Sequence, residues 1–200
     1  MYKKLFISIF TLLLAGIHFN GYSQQTNLVI DPQKSTLSWE GHRFFGGNHT
    51  GTINLVEGKG QLLDGKLTGG EFIIDMNSIQ VTDLEGETAE RLATHLKTPD
   101  FFDAGNYPQA IFRLKHIDYA GENLAAVVGE IVIRGIAQQI SFPANINIKE
   151  GTFHASAKGV RVDRTVHDSQ YGSIKFFRDL GRKIVHDEFI VHFEITGTVQ

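Results

Sequence analysis

From Asn27 to the C-terminus, apolar and polar residues alternate with a period of two, and glycine-containing segments break the alternation at intervals. In 35–40, Leu37 and Trp39 fall on one face, with Thr36, Ser38 and Glu40 on the other. Phe72 and Ile74 share a face opposed by Ile73, and Phe112 and Leu114 oppose Arg113 and Lys115. Val127, Ile131 and Ile133 oppose Glu130 and Arg134; near the end, Phe189, Val191, Phe193 and Ile195 oppose His192, Glu194 and Thr196. Side chains on a strand point alternately to its two faces, so this pattern describes antiparallel sheet with one face covered and one wet. Turns are expected at 57–60, 64–66, 68–70, 120–123 and 149–151, where glycine recurs beside polar residues.

Helical spacing occurs once, from about Asp83 to Lys97, where Ala89, Leu92, Ala93 and Leu96 repeat and Asp83 is placed to cap the N-terminus. Thr98-Pro99-Asp100 reads as the start of a further short helical turn. The chain is thus mainly β, with about eight strands and one helical insertion. Periodicity alone leaves a sandwich and a closed barrel equally open.

The first 23 residues have a different character. Lys3 and Lys4 precede an apolar run from Leu5 to Ile17, and small or polar residues follow up to Ser23. This is the layout of a secretory signal peptide, with cleavage expected near Ser23. The run is shorter than the ~20 residues a spanning helix needs, and no second one follows, so no transmembrane anchor is expected. The protein is therefore expected to be periplasmic or secreted, soluble after cleavage, with residues 24–200 forming one domain. With no cysteine, neither disulfides nor an acylated cysteine is available. Beyond residue 23, 17 Lys and Arg face 22 Asp and Glu, a formal charge of −5, which disfavours nucleic acid as a partner.

No motif announces chemistry. There is no cysteine, no Gly-x-Ser-x-Gly elbow, no HExxH and no phosphate-binding glycine loop. Histidines are numerous, but His186 and His192 on one strand would stand ~20 Å apart. His42 and His49, across Gly46-Gly47, lack two further ligands nearby. Neither a metal site nor an enzyme is expected. His95, Asp100 and Asp103 read as local capping and hydrogen-bonding residues.

Several ordered stretches together resemble the YceI-like family of extracytoplasmic polyisoprenoid-binding proteins. They are Ile30-Asp31-Pro32 with 35–39, then 95–103 followed by 107–112, then 129–136, and finally 162–165 with 187–189. The chain departs from the family pattern at Lys34, in the glycine-rich 40–49 segment and in the long stretch 167–183. The resemblance implies an antiparallel eight-stranded lipocalin-like barrel, no cofactor, a bound isoprenoid-type lipid and a homodimer. It also makes the aromatic-rich apolar faces a candidate lining for a prenyl chain: Trp39, Phe72, Ile74, Phe101, Phe102, Phe112, Leu114, Phe142, Phe153, Phe189, Val191 and Phe193. Phe176 and Phe177 are candidates for a flap at the mouth, although pinning a long loop explains them as well. Asp163 and Arg164 suit either a head-group contact or a pin between strands. An eight-strand barrel either holds one small ligand or is filled by its own side chains. The competing expectation is therefore an exported stress-related interaction protein with a filled barrel.

Overall fold

The computed structural model describes residues 24–200, so the expected signal peptide lies outside the described residues. Nine strand segments form one antiparallel sheet: β1 (Gln25–Ile30), β2 (Thr36–Arg43), β3 (Asn48–Leu63), β4 (Lys66–Val81), β5 (Gln109–Tyr119), β6 (Leu124–Ile133), β7 (Ile136–Lys149), β8 (Thr152–Asp163) and β9 (Val185–Val199). One helix, α1 (Gly86–Lys97), is inserted between β4 and β5. Consecutive strands from β2 to β9 are neighbours, and β2 pairs in turn with β9, with Leu37 opposite Phe193, so the sheet closes into a barrel. The covered face of the alternation is therefore the inside of a cylinder.

Nine segments make an eight-lane barrel because β1 and β2 share one lane. Val29 of β1 lies opposite Lys59 of β3, and Leu37 of β2 lies opposite Ile53 of the same strand. Between them a 3-10 turn at Pro32–Lys34 interrupts the ladder. Proline supplies no N–H there, and the Asp31 carboxylate accepts from the Gln33 amide (3.0 Å). Ser35 ties the break to β9: its Oγ donates to the Asp31 carbonyl (2.7 Å) and accepts from the Thr196 amide (3.1 Å).

Three expected turns are hairpin tips. Asp64-Gly65 and Glu150-Gly151 each adopt two successive positive φ values, and 120–123 joins β5 to β6. The other two are corrected: 57–60 lies inside β3, and 68–70 inside β4. None of Gly58, Gly60, Gly69 or Gly70 has a positive φ. Three of the four serve close packing: a Cβ on Gly58 would sit 2.6 Å from Ile30 Cγ1, one on Gly60 2.9 Å from Leu67 Cδ1, and one on Gly70 3.1 Å from the Phe72 ring.

The helix begins three residues later than expected. Its N-cap is Glu85, whose side chain makes no capping bond. Asp83 is engaged elsewhere, accepting from the Thr50 amide (2.9 Å) and meeting the His49 ring (2.9 Å), which fastens the helix entry to β3. Thr98 begins no helix; its carbonyl accepts from the amides of Phe101 (3.0 Å) and Asp103 (2.9 Å) in a compact turn. The short helical turns occur instead at 32–34, Arg164–His167 and Gly181–Lys183.

The barrel has two unlike ends. At one, β3–β4, β5–β6 and β7–β8 are joined by tight turns, and the interior is packed with Leu28, Leu62 and Phe153, each at most 1% exposed. Tyr119 Oη there accepts from the Leu67 amide (2.9 Å). At the other end lie the β2–β3 loop, the α1 insertion, the short 134–135 turn and the long 164–184 connection.

Candidate functional site: an apolar lumen

The barrel interior is not filled. It holds a cavity of about 480 Å³, within the ~300–1,000 Å³ range of small-molecule sites. All twelve side chains expected to face inward line it: Trp39 from β2; Phe72 and Ile74 from β4; Phe112 and Leu114 from β5; Phe142 from β7; Phe153 from β8; Phe189, Val191 and Phe193 from β9; and Phe101 and Phe102 from the turn after α1. Alternation explains the strand members. The two turn residues reach the cavity because the 98–103 turn folds back against the barrel end, where the Phe102 ring meets Phe189 edge-on at 5.6 Å.

The rings form a connected band, with centroids 6.1 Å apart for Phe72–Phe112, 5.8 Å for Phe112–Phe142 and 5.9 Å for Phe142–Phe193. Such tilted contacts are the favourable ones for aromatic pairs. The lumen stays open because several rings lie over glycines of the neighbouring strand. A Cβ on Gly129 would collide with the Phe112 ring, and one on Gly51 with the Trp39 indole. Trp39 Nε1 donates to the Thr52 carbonyl (3.3 Å), which holds the indole along the wall. Volume that a ring would otherwise place across the lumen is taken up at the wall.

Polar groups gather only toward the open end. There Arg43, His42 and His49 of the β2–β3 hairpin, His95 of α1, and Tyr171, Lys183 and His186 complete the lining. Leu92 and Leu96 turn the apolar side of α1 over part of the opening. The rings of His95, Phe101 and Tyr171 form a cluster, with His95 edge-on to Tyr171 at 4.9 Å and Phe101 tilted against Tyr171 at 5.2 Å. His95 Nε2 also meets Asp100 Oδ2 at 2.9 Å, a local contact of the expected kind. Among the described residues no group of three or more His, Asp or Glu is placed to hold a metal ion.

Arg164 is 3% exposed and works as a pin. Its guanidinium donates to the carbonyls of Ser169 (2.6 Å), His186 (3.0 Å) and Val185 (3.2 Å), with Asp187 at 3.9 Å and the Phe101 ring at 5.7 Å. Burial lowers its pKa, while Asp187 and Asp163 oppose that shift. With these donors on protein carbonyls, the residue fastens the 164–184 connection to the start of β9 and forms part of the cavity wall. Asp163 does not line the cavity. It accepts from Thr165 N (2.9 Å), Thr165 Oγ1 (2.6 Å) and Lys175 Nζ (2.9 Å). Burial raises its carboxyl pKa, but the bonds from Thr165 and Lys175 outweigh it and hold the group below the usual carboxylate value.

Phe176 and Phe177 do not line the lumen either. They are 48% and 47% exposed on the 164–184 connection, with Phe177 against an outer groove beside Pro99, Tyr171 and Leu180. The candidate lining omits Leu37 and Ile131, although the alternation already places both on apolar faces, and it omits Met76, Ile79, Ile140 and the whole polar rim. The wall residues carry a signal, since they continue the same strand faces. The rim sits on loops, where no period exists.

The chain matches the model of the YceI-like domain over residues 28–197. It is 28% identical over 104 residues to UPF0312 proteins of Pseudomonas putida strains W619 and GB-1, an alignment covering 50% of this chain and 53% of each of theirs. The chain thus spans about half the length of the curated relatives it matches. Among solved structures, it resembles Burkholderia cenocepacia BcnA (TM-score 0.61, 21% identity, covering 84% of this chain and 98% of that one). It also resembles a polyisoprenoid binding domain from Saccharophagus degradans implicated in plant cell wall breakdown (TM-score 0.63, 14% identity, covering 86% and 98%). At these identities the likeness is one of fold.

Proposed function

The chain belongs to the YceI-like family, and from that premise we propose that its barrel holds a long apolar isoprenoid-type lipid, a polyprenyl chain or isoprenoid quinone, as an extracytoplasmic carrier, buffer or sensor. The observation that carries this is the open lumen walled by phenylalanines and aliphatic side chains, with polar groups confined to one end. An apolar chain entering it leaves water at about 0.8 kcal/mol per methylene. Ten such groups supply roughly 8 kcal/mol, near micromolar affinity before ordering costs are subtracted. The polyisoprenoid-binding neighbour supports the same ligand class. Binding requires no catalytic group, so the protein is read as a binding protein and not an enzyme. Export follows from the Lys3-Lys4 and apolar opening of the sequence. The cavity among these side chains supports the ligand-holding reading over a barrel filled by its own side chains.

The test is extraction of the purified protein with organic solvent, followed by mass spectrometry. A stoichiometric isoprenoid is expected; a clean extract together with no saturable uptake of added prenyl lipid overturns the proposal.

A further inference from the structure

Large exposed apolar side chains are unevenly distributed. Among the described residues the exposed aromatic ones are Phe44, Phe45, Tyr107, Phe176 and Phe177, and every one sits on a connection at the open end. Ile174, the most exposed large aliphatic residue, is 63% exposed and lies there too. None of these six lines the lumen. Single exposed apolar residues are ordinary, but a set gathered on one end of a barrel marks an interaction surface.

The two main pieces of this surface are joined. Phe44 N donates to the Ile184 carbonyl (3.0 Å), and Arg43 Nη2 to the Arg182 carbonyl (3.3 Å), so the β2–β3 tip is bonded to the end of the 164–184 connection. Phe44 packs on Phe45 at 5.1 Å and stacks on His186, a lumen-mouth residue, at 5.8 Å. The aromatic surface therefore borders the opening.

The connection that carries Phe176 and Phe177 is locally basic, although acids stand at the same end, Asp100 and Asp168 in the groove with Phe177 and Lys183, and Glu85, Glu87 and Glu90 on and beside α1. Between Tyr171 and Lys183 the sequence has Lys175, Arg178, Arg182 and Lys183 against one acid, Asp179, in a chain that is net negative beyond residue 23. Lys175 is neutralised by Asp163 (2.9 Å) and Asp187 (3.3 Å). Arg43, Arg178, Arg182 and Lys183 have no ion-pair partner among the described residues, leaving four cations interleaved with exposed rings. Rings that enter the headgroup boundary and cations that reach lipid phosphates are the two components of interfacial membrane binding.

We infer that the rim of the opening is a docking site for an anionic lipid bilayer, which sets the mouth of the lumen against the membrane so that an apolar cargo passes between the two without crossing water. The transfer role rests on the cargo proposed above; the docking itself does not.

The test is co-sedimentation of the exported protein with vesicles of phosphatidylcholine plus phosphatidylglycerol, and with vesicles of phosphatidylcholine alone. Wild type is expected on the anionic vesicles and at least tenfold weaker on the zwitterionic ones, since each cation near a charged surface is worth about fivefold in affinity and two of the four reaching it already exceed that. Phe45→Ser/Phe176→Ser/Phe177→Ser and, separately, Arg178→Glu/Arg182→Glu are expected to reduce anionic-vesicle binding about tenfold or more. Both should keep the wild-type melting midpoint and the saturable uptake of a prenyl alcohol delivered from cyclodextrin. The inference is overturned if wild type stays in the supernatant with anionic vesicles, or if both variants bind as wild type does. It is also overturned if the aromatic substitutions abolish a self-association seen in sedimentation velocity while no form binds vesicles. Vesicle binding without prenyl uptake would support the docking surface and sink the cargo proposal, so the two failures are distinguishable.

Discussion

At the tight-turn end of the barrel, Leu28, Leu62 and Phe153 have at most 1% of their surface exposed, whereas at the open end Phe44 and Ile174 expose 60% and 63% of theirs. Both ends are rich in apolar residues, so composition does not separate them. Connection length accounts for most of the difference: 82–108 and 164–184 at the open end are long, although the 134–135 turn there is as short as Asp64-Gly65. Two-residue turns such as Asp64-Gly65 bring neighbouring strands together and let their side chains close over the interior. The long connections at the other end satisfy their backbone through pins such as Arg164 and leave the lumen accessible. One end is built for stability and the other for contact, and substitutions at the two should fail in different ways.

The largest effect is expected at Phe153. Truncation to alanine should cost about 3–5 kcal/mol, because the ring is fully withdrawn from water and its loss enlarges the cavity it borders. A chemical-denaturation midpoint close to wild type would mean that this end is not the stabilising one.

Arg164→Met should follow, at about 3 kcal/mol, since three carbonyls lose a charged donor in a buried position. Hydrogen exchange should rise first in 169–186, not around the barrel; uniform loss of protection would contradict its role as a pin.

Gly129→Leu probes the wall between the two ends. The added side chain meets the Phe112 ring, which must swing into the lumen, at a cost of about 1–3 kcal/mol in stability. The sharper readout is prenyl uptake, expected to fall at least tenfold; unchanged uptake would show that the wall does not set the available space.

A smaller effect concerns acid. His167, with 0% exposure, donates from Nδ1 to the Ile136 carbonyl (2.9 Å), and its Nε2 lies 3.1 Å from Gln138 Oε1. Burial pushes its pKa below the ordinary 6.5, against the opposing bond to Ile136. The unfolded chain therefore takes up the proton first. The stability contributed by the neutral ring is complete above pH 6.5 and is lost as pH falls through the lowered folded value. His167→Gln should flatten this part of the stability profile; an identical acid slope in the variant would assign it to other groups. The smallest effect is at the mouth, where Phe176→Ser should change stability by no more than about 0.5 kcal/mol.

How far the sequence revealed this contrast depends on the periodicity of each region. In β9, Phe189, Val191 and Phe193 announce an inward face, and the structure places all three in the lumen wall. The same is true of Leu37 and Trp39 in β2, so the wall was legible residue by residue. Closure was not, since β2 meets β9 across about 150 residues of chain and alternation reads the same in a sandwich. Gly58 and Gly70 misled because a glycine under a ring or an aliphatic side chain has the same one-letter signature as a glycine in a turn. At the mouth, the partners of Arg164 lie 5 and about 20 residues along the chain and are backbone carbonyls, which leave no trace in side-chain pattern. Phe176 and Phe177 announced an apolar surface at the opening but not which way it faces.

The central claim is that the lumen takes up an apolar chain, and the protein carries its own reporter. Trp39 is the only tryptophan in the sequence and lies in the cavity wall. Titration with a prenyl alcohol should change its emission saturably, with an equivalence point near one ligand per chain and an affinity near micromolar. An emission that does not respond, or that drifts linearly without saturation, would contradict the account.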